Sequence, residues 1–222
     1  MLMLLPMALA IAGPVQDDVV ARYAAEWEAA VAEVERAPQP DHPTLAQKVA
    51  RLVALDEITR QHMWRAGDPA LSPAQQIALS LKIGPRMSAI DAANTEALKA
   101  LLPADGWFRN RRDGRQVTHG AWLIVQHSPD DAFRTRIMGA MGERLGKGDV
   151  DAMDFALTTD RVVVHQGGPQ VFGSQAGCIA GKLTILPIAD PEHVDERRAR
   201  IGWAKTLAET KGDLEIGKPC AM

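Results

Sequence analysis

Several ionisable side chains fall on helix faces that should otherwise be apolar. With an advance of about 100° per residue around a helix, Asp56 and Arg60 share a stripe with Leu45, Val49 and Leu52. An unpaired buried charge is strongly destabilising, so polar groups on such a face must find partners. Asp56 and Arg60 stand at i and i+4 and can pair on their own helix.

Three further segments repeat the pattern. Asp91 and Asn94 lie among apolar residues of the next predicted helix, Asp160 lies inside the apolar arc of a later one, and Gln126 and His127 end a segment with no solvent face. Four helices therefore direct polar groups inward, which predicts one shared polar pocket.

The residue types suit proton transfer on a small polar or peptide-like substrate. We expect His127 to act as general base or acid, because histidine titrates near neutrality, and Asp160 or Asp91 to orient it. The other histidines receive less weight, although His119 shares the helical phase of Leu123 and His127. The predicted substrate-binding residues are Asp56, Arg60, Asn94, Gln126, Arg161, Gln170, Ser174 and Gln175. The hypothesis is a hydrolase-like enzyme.

Two other interpretations use the same residues. The pocket can serve a non-catalytic module that binds a small ligand or another envelope protein, or the polar set can be a buried network that only fixes helix register. No metal or other cofactor is predicted, because no His-x-x-x-His or Glu-x-x-His spacing occurs and Arg60 and Arg161 would neutralise much of the carboxylate charge.

Composition argues against a nucleic-acid partner. The formal net charge is -3, whereas nucleic-acid binding usually needs a strong basic excess. One local exception is the arginine cluster Arg109, Arg111, Arg112 and Arg115. We interpret it as a solvated loop in preference to an anion-binding loop, because Asp113 and Gly114 interrupt the run.

The N-terminal residues 1–12 indicate a secretory signal. This apolar run is shorter than the roughly 20 residues of a membrane-spanning helix, and Ala8-Leu9-Ala10 or Ala10-Ile11-Ala12 supplies the small-x-small cleavage pattern. We therefore expect a periplasmic or secreted protein without a stable membrane span once the signal is removed, in preference to a cytoplasmic protein with an apolar N-terminal helix. In an oxidising compartment Cys178 and Cys220 can form a disulfide, although they can also be two unrelated thiols.

Helix-breaking prolines and glycines, together with helix-capping residues, divide the rest of the chain into predicted elements. They predict helices over 15–37 and 44–66, then one from Ser72-Pro73 that is interrupted at Gly84-Pro85 and resumes over 86–102. A helix buried all round follows over 118–127, one capped at Ser128 ends near 146, and one capped by Asp149 ends near 163. A hairpin pairs 170–175 with 182–186, and a last clear helix spans 190–200, followed by a short helix in the tail. The predicted fold is mainly α, a helical bundle-like single domain over 15–222 with a small C-terminal β-hairpin.

The order of several motifs resembles a widespread bacterial family, a domain of unknown function, over roughly residues 50–205. The motifs are Trp122-Leu123-Ile124-Val125-Gln126-His127, Asp160-Arg161-Val162, Pro169-Gln170-Val171-Phe172-Gly173-Ser174-Gln175, Pro187-Ile188, Asp190-Pro191, Val194-Asp195 and Arg197-Arg198, with Asp56, Arg60, Ile90-Asp91 and Asn94 upstream. The chain departs from the pattern at Phe172, usually Tyr, at Ser174, usually Thr, and at Glu57, often Gln. Because Phe172 has no hydroxyl, the departure argues against a catalytic tyrosine there. The resemblance supports a polar pocket and implies no particular reaction.

Overall fold

Nine α-helices and one two-stranded hairpin make up the part of the chain that the structure, a computed structural model, describes: residues 14–63, 68 and 70–218. This confirms the predicted mainly α fold with a small C-terminal β-hairpin. The elements are α1 (Pro14–Arg36), α2 (Leu45–Met63), α3 (Pro73–Leu101), α4 (Asn110–Asp113), α5 (Arg115–His127), α6 (Asp131–Gly142), α7 (Ala152–His165), β1 (Ala176–Ile179), β2 (Lys182–Ile185), α8 (Val194–Arg200) and α9 (Leu207–Asp213), with a 3-10 turn at Pro191–His193.

The described chain divides into two compact units. The first comprises residues 14–38 and 55–89, and the second comprises 39–54 and 90–218. The single domain expected over 15–222 stays a prediction. The proposed signal, residues 1–12, lies outside the described residues, and none of the helices within them is long and apolar enough to cross a membrane.

The first unit has a small apolar core. Trp27, Val31, Leu79 and Ile83 are buried there. The indole Nε1 of Trp27 donates to the carbonyl oxygen of Thr59 at 3.1 Å, so the one polar atom of this buried ring is satisfied.

The second unit holds the larger core, and a glycine sets how closely two of its segments pack. A Cβ added to Gly120 of α5 would lie 2.8 Å from Val49 Cγ1 and 3.0 Å from Val53 Cγ2. The core members around this contact are Val49, Leu52, Leu98, Trp107, Phe108, Val117, Ala121, Trp122, Ile124, Val125, Phe133, Ile137, Met141 and Val150. The absence of a side chain at Gly120 therefore lets α5 approach the valines of 39–54.

The predicted interruption at Gly84-Pro85 is wrong, since α3 runs through Pro85 without a break. Proline removes one backbone N–H, and its partner would have been the carbonyl of Leu81. Leu81 is 73% exposed, so water can satisfy that carbonyl. Buried Leu79 and Ile83 before the proline, and Ile90 and Leu98 after it, favour the helix on both sides.

Two predicted caps are displaced by two residues. Asp130, and not Ser128, caps α6, accepting from the N–H of Phe133 at 2.8 Å. Asp151, and not Asp149, caps α7, accepting from the N–H of Met153 at 2.9 Å. Each helix starts where a carboxylate can reach its unsatisfied N–H groups. The α6 helix also ends at Gly142, four residues before its predicted end.

The hairpin is confirmed, but its first strand is not 170–175. Strands β1 and β2 pair antiparallel, with Ala176 opposite Ile185 and Cys178 opposite Leu183. Residues 170–175 instead begin with an isolated bridge, in which the N–H of Gln170 bonds to the carbonyl of Pro187. They continue as a turn in which the N–H groups of Val171, Phe172, Ser174 and Gln175 bond to side chains, as described below. N–H groups that bond to side chains cannot also form the hydrogen bonds of a β-sheet.

Candidate active site

Helices α5 and α7 lie side by side and parallel, and polar side chains fill the line of contact between them. The pairs Arg115–Asp151, His119–Asp154, Trp122–Thr158 and Gln126–Thr158 advance in the same direction along both helices. We call this line, defined by those residues and Arg161, the α5–α7 seam. All of it lies within the second unit.

An aspartate and a histidine meet in the middle of the seam. The Nδ1 atom of His119 lies 3.1 Å from Oδ2 of Asp154. Asp154 is buried, with 6% of its side chain exposed, whereas 59% of the His119 side chain is exposed. When Nδ1–H donates to the carboxylate, Nε2 carries the lone pair that can accept a proton. The buried group therefore orients an imidazole that a ligand can reach.

Asp154 is electrostatically unusual among the described residues. Burial raises the pKa of Asp154 to about 6, although the hydrogen bond and charge of His119 lower it. Its Oδ1 atom is buried and has no hydrogen-bond partner within the described chain. Buried polar atoms are nearly always satisfied, and a carboxyl with a raised pKa in contact with histidine is typical of functional sites.

Trp122 fixes the imidazole plane and ties the two helices together. The rings of His119 and Trp122 stack with centroids 4.9 Å apart and 26° between their planes. The indole Nε1 of Trp122 donates to the carbonyl of Asp154 at 2.9 Å and to Thr158 Oγ1 at 3.1 Å. The histidine is thus held by a ring and a carboxylate, and the same tryptophan fixes the helix that carries the carboxylate.

Two predicted binding residues, Gln126 and Arg161, meet farther along the seam. Gln126 is buried and donates from Nε2 to Thr158 Oγ1 at 2.7 Å. Arg161 Nη1 donates to the carbonyl oxygen of Gln126 at 2.7 Å. His127, the last residue of α5, is half-buried. Its proposed role as general base or acid stays a prediction.

Asp160, Ser174, Gln170 and Gln175 come together at the turn before the hairpin. The fully buried carboxylate of Asp160 accepts from three backbone N–H groups, those of Val171 at 2.7 Å, Phe172 at 2.8 Å and Ser174 at 2.8 Å. These bonds give the carboxylate a structural role. A catalytic role for Asp160 stays a prediction.

The buried side chain of Gln170 completes the turn. Its amide donates to the carbonyls of Gln175 at 3.0 Å and Leu186 at 2.7 Å, and its Oε1 accepts from the N–H of Gln175 at 2.7 Å. Gln175 Nε2 donates to Ser174 Oγ at 3.0 Å. The amide of Gln170 is therefore satisfied by protein backbone, and its part in substrate binding stays a prediction.

The predicted residues of the earlier helices lie in different units. Asp56 is buried in the first unit and forms an ion pair of 2.8 Å with Arg60, as their spacing predicts. In the second unit Asn94 is buried and donates to the carbonyl of Leu52 at 3.2 Å, and Asp91 is half-buried. The inward orientation is thus confirmed for Asp56 and Asn94. Whether any of these residues binds substrate is untested.

Sequence reasoning missed Asp154 and gave His119 little weight. One signal was present, because His119 shares the phase of Leu123 and His127 on α5. Asp154 has no such signal, since a carboxylate near a helix start also suits the helix dipole. Within the described residues, no three His, Cys, Asp or Glu side chains converge as metal ligands.

The fold and the seam define a class: a mainly helical protein in which parallel helices hold a histidine against a buried carboxylate. The family model for a family of unknown function (DUF6624) matches residues 43–214, most of the chain, and the protein belongs to that family. This confirms the resemblance inferred from the motifs. No curated protein and no solved structure shows significant similarity to the chain.

Proposed function

We propose that this protein is an enzyme of hydrolytic type that acts on a small polar substrate, with His119 as its general base and Asp154 as the residue that positions it. The observation that carries the proposal is the contact of 3.1 Å between an accessible imidazole and a buried carboxylate whose second oxygen has no partner among the described residues. Histidine is the side chain that enzymes most often use for proton transfer, and a carboxylate on Nδ1 fixes the tautomer this requires.

The reaction follows from that arrangement. His119 Nε2 takes a proton from a water molecule while the water oxygen adds to the electrophilic centre of the substrate. The imidazolium that forms is stabilised by Asp154, and it then gives the proton to the leaving group as the bond between that group and the electrophilic centre breaks. Trp122 keeps the ring in one plane throughout, because it stacks on one face of the imidazole.

The test compares the two histidines of α5. Purified His119→Gln, Asp154→Asn, His127→Gln and the control Arg200→Gln would be assayed against chromogenic carboxylic esters, amides and phosphate esters. We expect His119→Gln to lower kcat/KM by about a hundredfold or more with an unchanged melting temperature, while Arg200→Gln, a surface change on α8, keeps full activity.

The loss of activity in each variant shows whether His119 or His127 belongs to the active site. Asp154→Asn should lower kcat and alter the pH–rate profile, because asparagine stabilises the wrong tautomer of its histidine partner. If His127→Gln abolishes turnover and His119→Gln does not, the centre predicted from the sequence is the active site and the proposal is wrong. Thermal stabilisation by metabolites without any product would favour the binding-module hypothesis.

We further propose that the protein is exported and that Cys178 is bridged to Cys220. Cys220 lies outside the described residues, but the chain just before it bonds to β2, the strand that pairs with the strand of Cys178. Leu183, which pairs with Cys178, accepts from the N–H of Gly217 at 2.8 Å and donates to the carbonyl of Lys218 at 2.9 Å. Peptide mapping without reductant should yield the cross-linked pair and a mature N-terminus after Ala10 or Ala12. An intact N-terminus with both thiols alkylated would contradict export.

A further inference from the structure

The arginine cluster that precedes α5 lines a cleft at one end of the α5–α7 seam. The cleft has a volume of about 520 Å³ and is lined by Asp105, Arg109, Arg111, Arg112 and Asp149. Three arginines thus face two carboxylates. The buried Arg144 bonds through its guanidinium to the carbonyl of Asp105, one of these lining residues.

Two of these arginines are already paired. Asp105 accepts from Arg109 Nη2 at 2.7 Å and from Arg112 Nη1 at 3.3 Å. Arg112 also forms an ion pair of 2.9 Å with Asp113. Burial raises the pKa of Asp105, but the Arg109 hydrogen bond and the Arg112 charge outweigh it, so the net pKa is lowered. These charged groups bond to one another, so few of their hydrogen-bond donors are left for a ligand.

Arg111 is different because its donors stay available. Arg111 is exposed, and no acceptor bonds its side chain within the described part of the protein. A Cβ built on Gly148 would lie 3.1 Å from Arg111 Nη2 and 3.5 Å from its Nε, so the guanidinium lies close to the backbone at Gly148. The cleft therefore presents one arginine whose donors a ligand can use.

The cleft lies near the N-terminal ends of α5 and α7, the two helices that carry the proposed catalytic pair. The N–H of Asn110 donates to the carbonyl of Asp149 at 3.0 Å, Arg115 pairs with Asp151 at 2.9 Å, and His119 meets Asp154 at 3.1 Å. From Arg115 to His119 is one helical turn, roughly 6 Å along the axis.

We propose that this arginine cleft binds an oxyanion, phosphate or carboxylate, and that the substrate of the proposed enzyme carries this anionic group. The statement that this anion is part of the substrate rests on the proposed function, whereas anion binding by the cleft does not. Arginine suits such groups because its planar guanidinium donates two parallel hydrogen bonds to two oxygens.

The experiment measures anion binding directly, by titration calorimetry of the full chain with inorganic phosphate and, separately, with succinate. Arg111→Gln should lower the affinity for the anion that the wild type binds more tightly by about tenfold, because one charge-assisted pair is lost. Arg200→Gln removes an exposed arginine on α8 that pairs with Glu196, so it is the matched control for net charge and should bind like the wild type. The stronger of the two titrations identifies the oxyanion.

The outcomes separate this inference from the proposed function. If the wild type binds neither anion, or if Arg200→Gln weakens binding as much as Arg111→Gln, the cleft is not an anion site. His119→Gln should bind the anion like the wild type and lose turnover. If it binds and also keeps its turnover, the anion site stands and the proposed catalytic role of His119 is wrong.

Discussion

Asp160 and Arg198 hold the same backbone turn from opposite sides. The carboxylate of Asp160 accepts from the N–H groups of Val171, Phe172 and Ser174, while the guanidinium of Arg198 donates to the carbonyl of Phe172 at 2.7 Å and of Gly173 at 3.2 Å. Arg198 is buried and lies 4.1 Å from the centroid of the Trp203 ring. Burial lowers the pKa of Arg198, although the charges of Asp195 and Asp160 raise it. Two distant motifs of the sequence thus define one turn.

The first prediction concerns the carboxylate of this turn. Asp160→Asn should lower the free energy of unfolding by about 3 kcal/mol or more, because the amide nitrogen cannot accept from the backbone and the buried Arg198 loses a compensating charge. Urea unfolding measures the change. Asp213→Asn, an exposed carboxylate on α9, is the control and should stay within about 0.5 kcal/mol of wild type. If Asp160→Asn folds as stably as the control and has lost activity, Asp160 is catalytic, as the sequence hypothesis holds.

The second prediction concerns the pH dependence of stability through Asp154. Its pKa is raised from 3.8 to about 6 in the folded protein, so between these values the folded state holds a proton that the unfolded state has lost. This contribution to stability is therefore complete below about pH 4 and is lost as the pH rises through about 6, with a total of at most about 3 kcal/mol.

Asp154→Asn should remove that slope and leave the protein as stable as wild type, or more stable, at neutral pH. Urea midpoints recorded at several pH values between the two pKa values and above them would show it. Asp213→Asn, the exposed carboxylate on α9, is the control, because Asp213 is not among the groups that shift the pKa of Asp154. An unchanged slope in Asp154→Asn would mean that its carboxyl does not titrate as described.

The third prediction tests the threonine that joins the two helices of the seam. Thr158 Oγ1 accepts from Trp122 and Gln126 in a fully buried position. Thr158→Val keeps the shape but leaves the amide of Gln126 without its acceptor, and should cost about 2 kcal/mol in thermal or urea unfolding. Thr135→Val on α6 loses only a bond to the Asp131 carbonyl and should cost clearly less. Equal losses would show that the seam hydrogen bonds do not stabilise the fold.

The fourth prediction compares two helix glycines. Gly120→Ala places a methyl group within 2.8 Å of Val49 and should destabilise the protein by about 1–3 kcal/mol. Gly139→Ala on α6 meets nothing within 4 Å and should instead stabilise it by about 0.5–1 kcal/mol, because alanine favours helix. Differential scanning calorimetry of both variants measures the contrast. A stabilised Gly120→Ala would contradict the close packing of α5 on the valines.

Local signals predicted much of the fold but not all of it. Prolines, glycines and caps predicted most of the major helices to within a few residues, because their effects act within one turn of the chain. The same rules failed at Pro85, where packing on both sides of the proline outweighs one lost hydrogen bond. They also failed at residues 170–175, whose β-prone side chains gave no warning that Asp160 would take their backbone donors.

The sequence by itself determined that Asp56, Asn94, Gln126 and Asp160 face inward, because helical periodicity is a local property, and all four are buried. Only the tertiary structure decided what each of them meets. The parallel contact of α5 with α7 brings His119 to Asp154, and the turn before β1 brings backbone N–H groups to Asp160. Periodicity gives a residue's angle on its own helix, whereas its partners depend on the register and direction of a second segment far away in the chain.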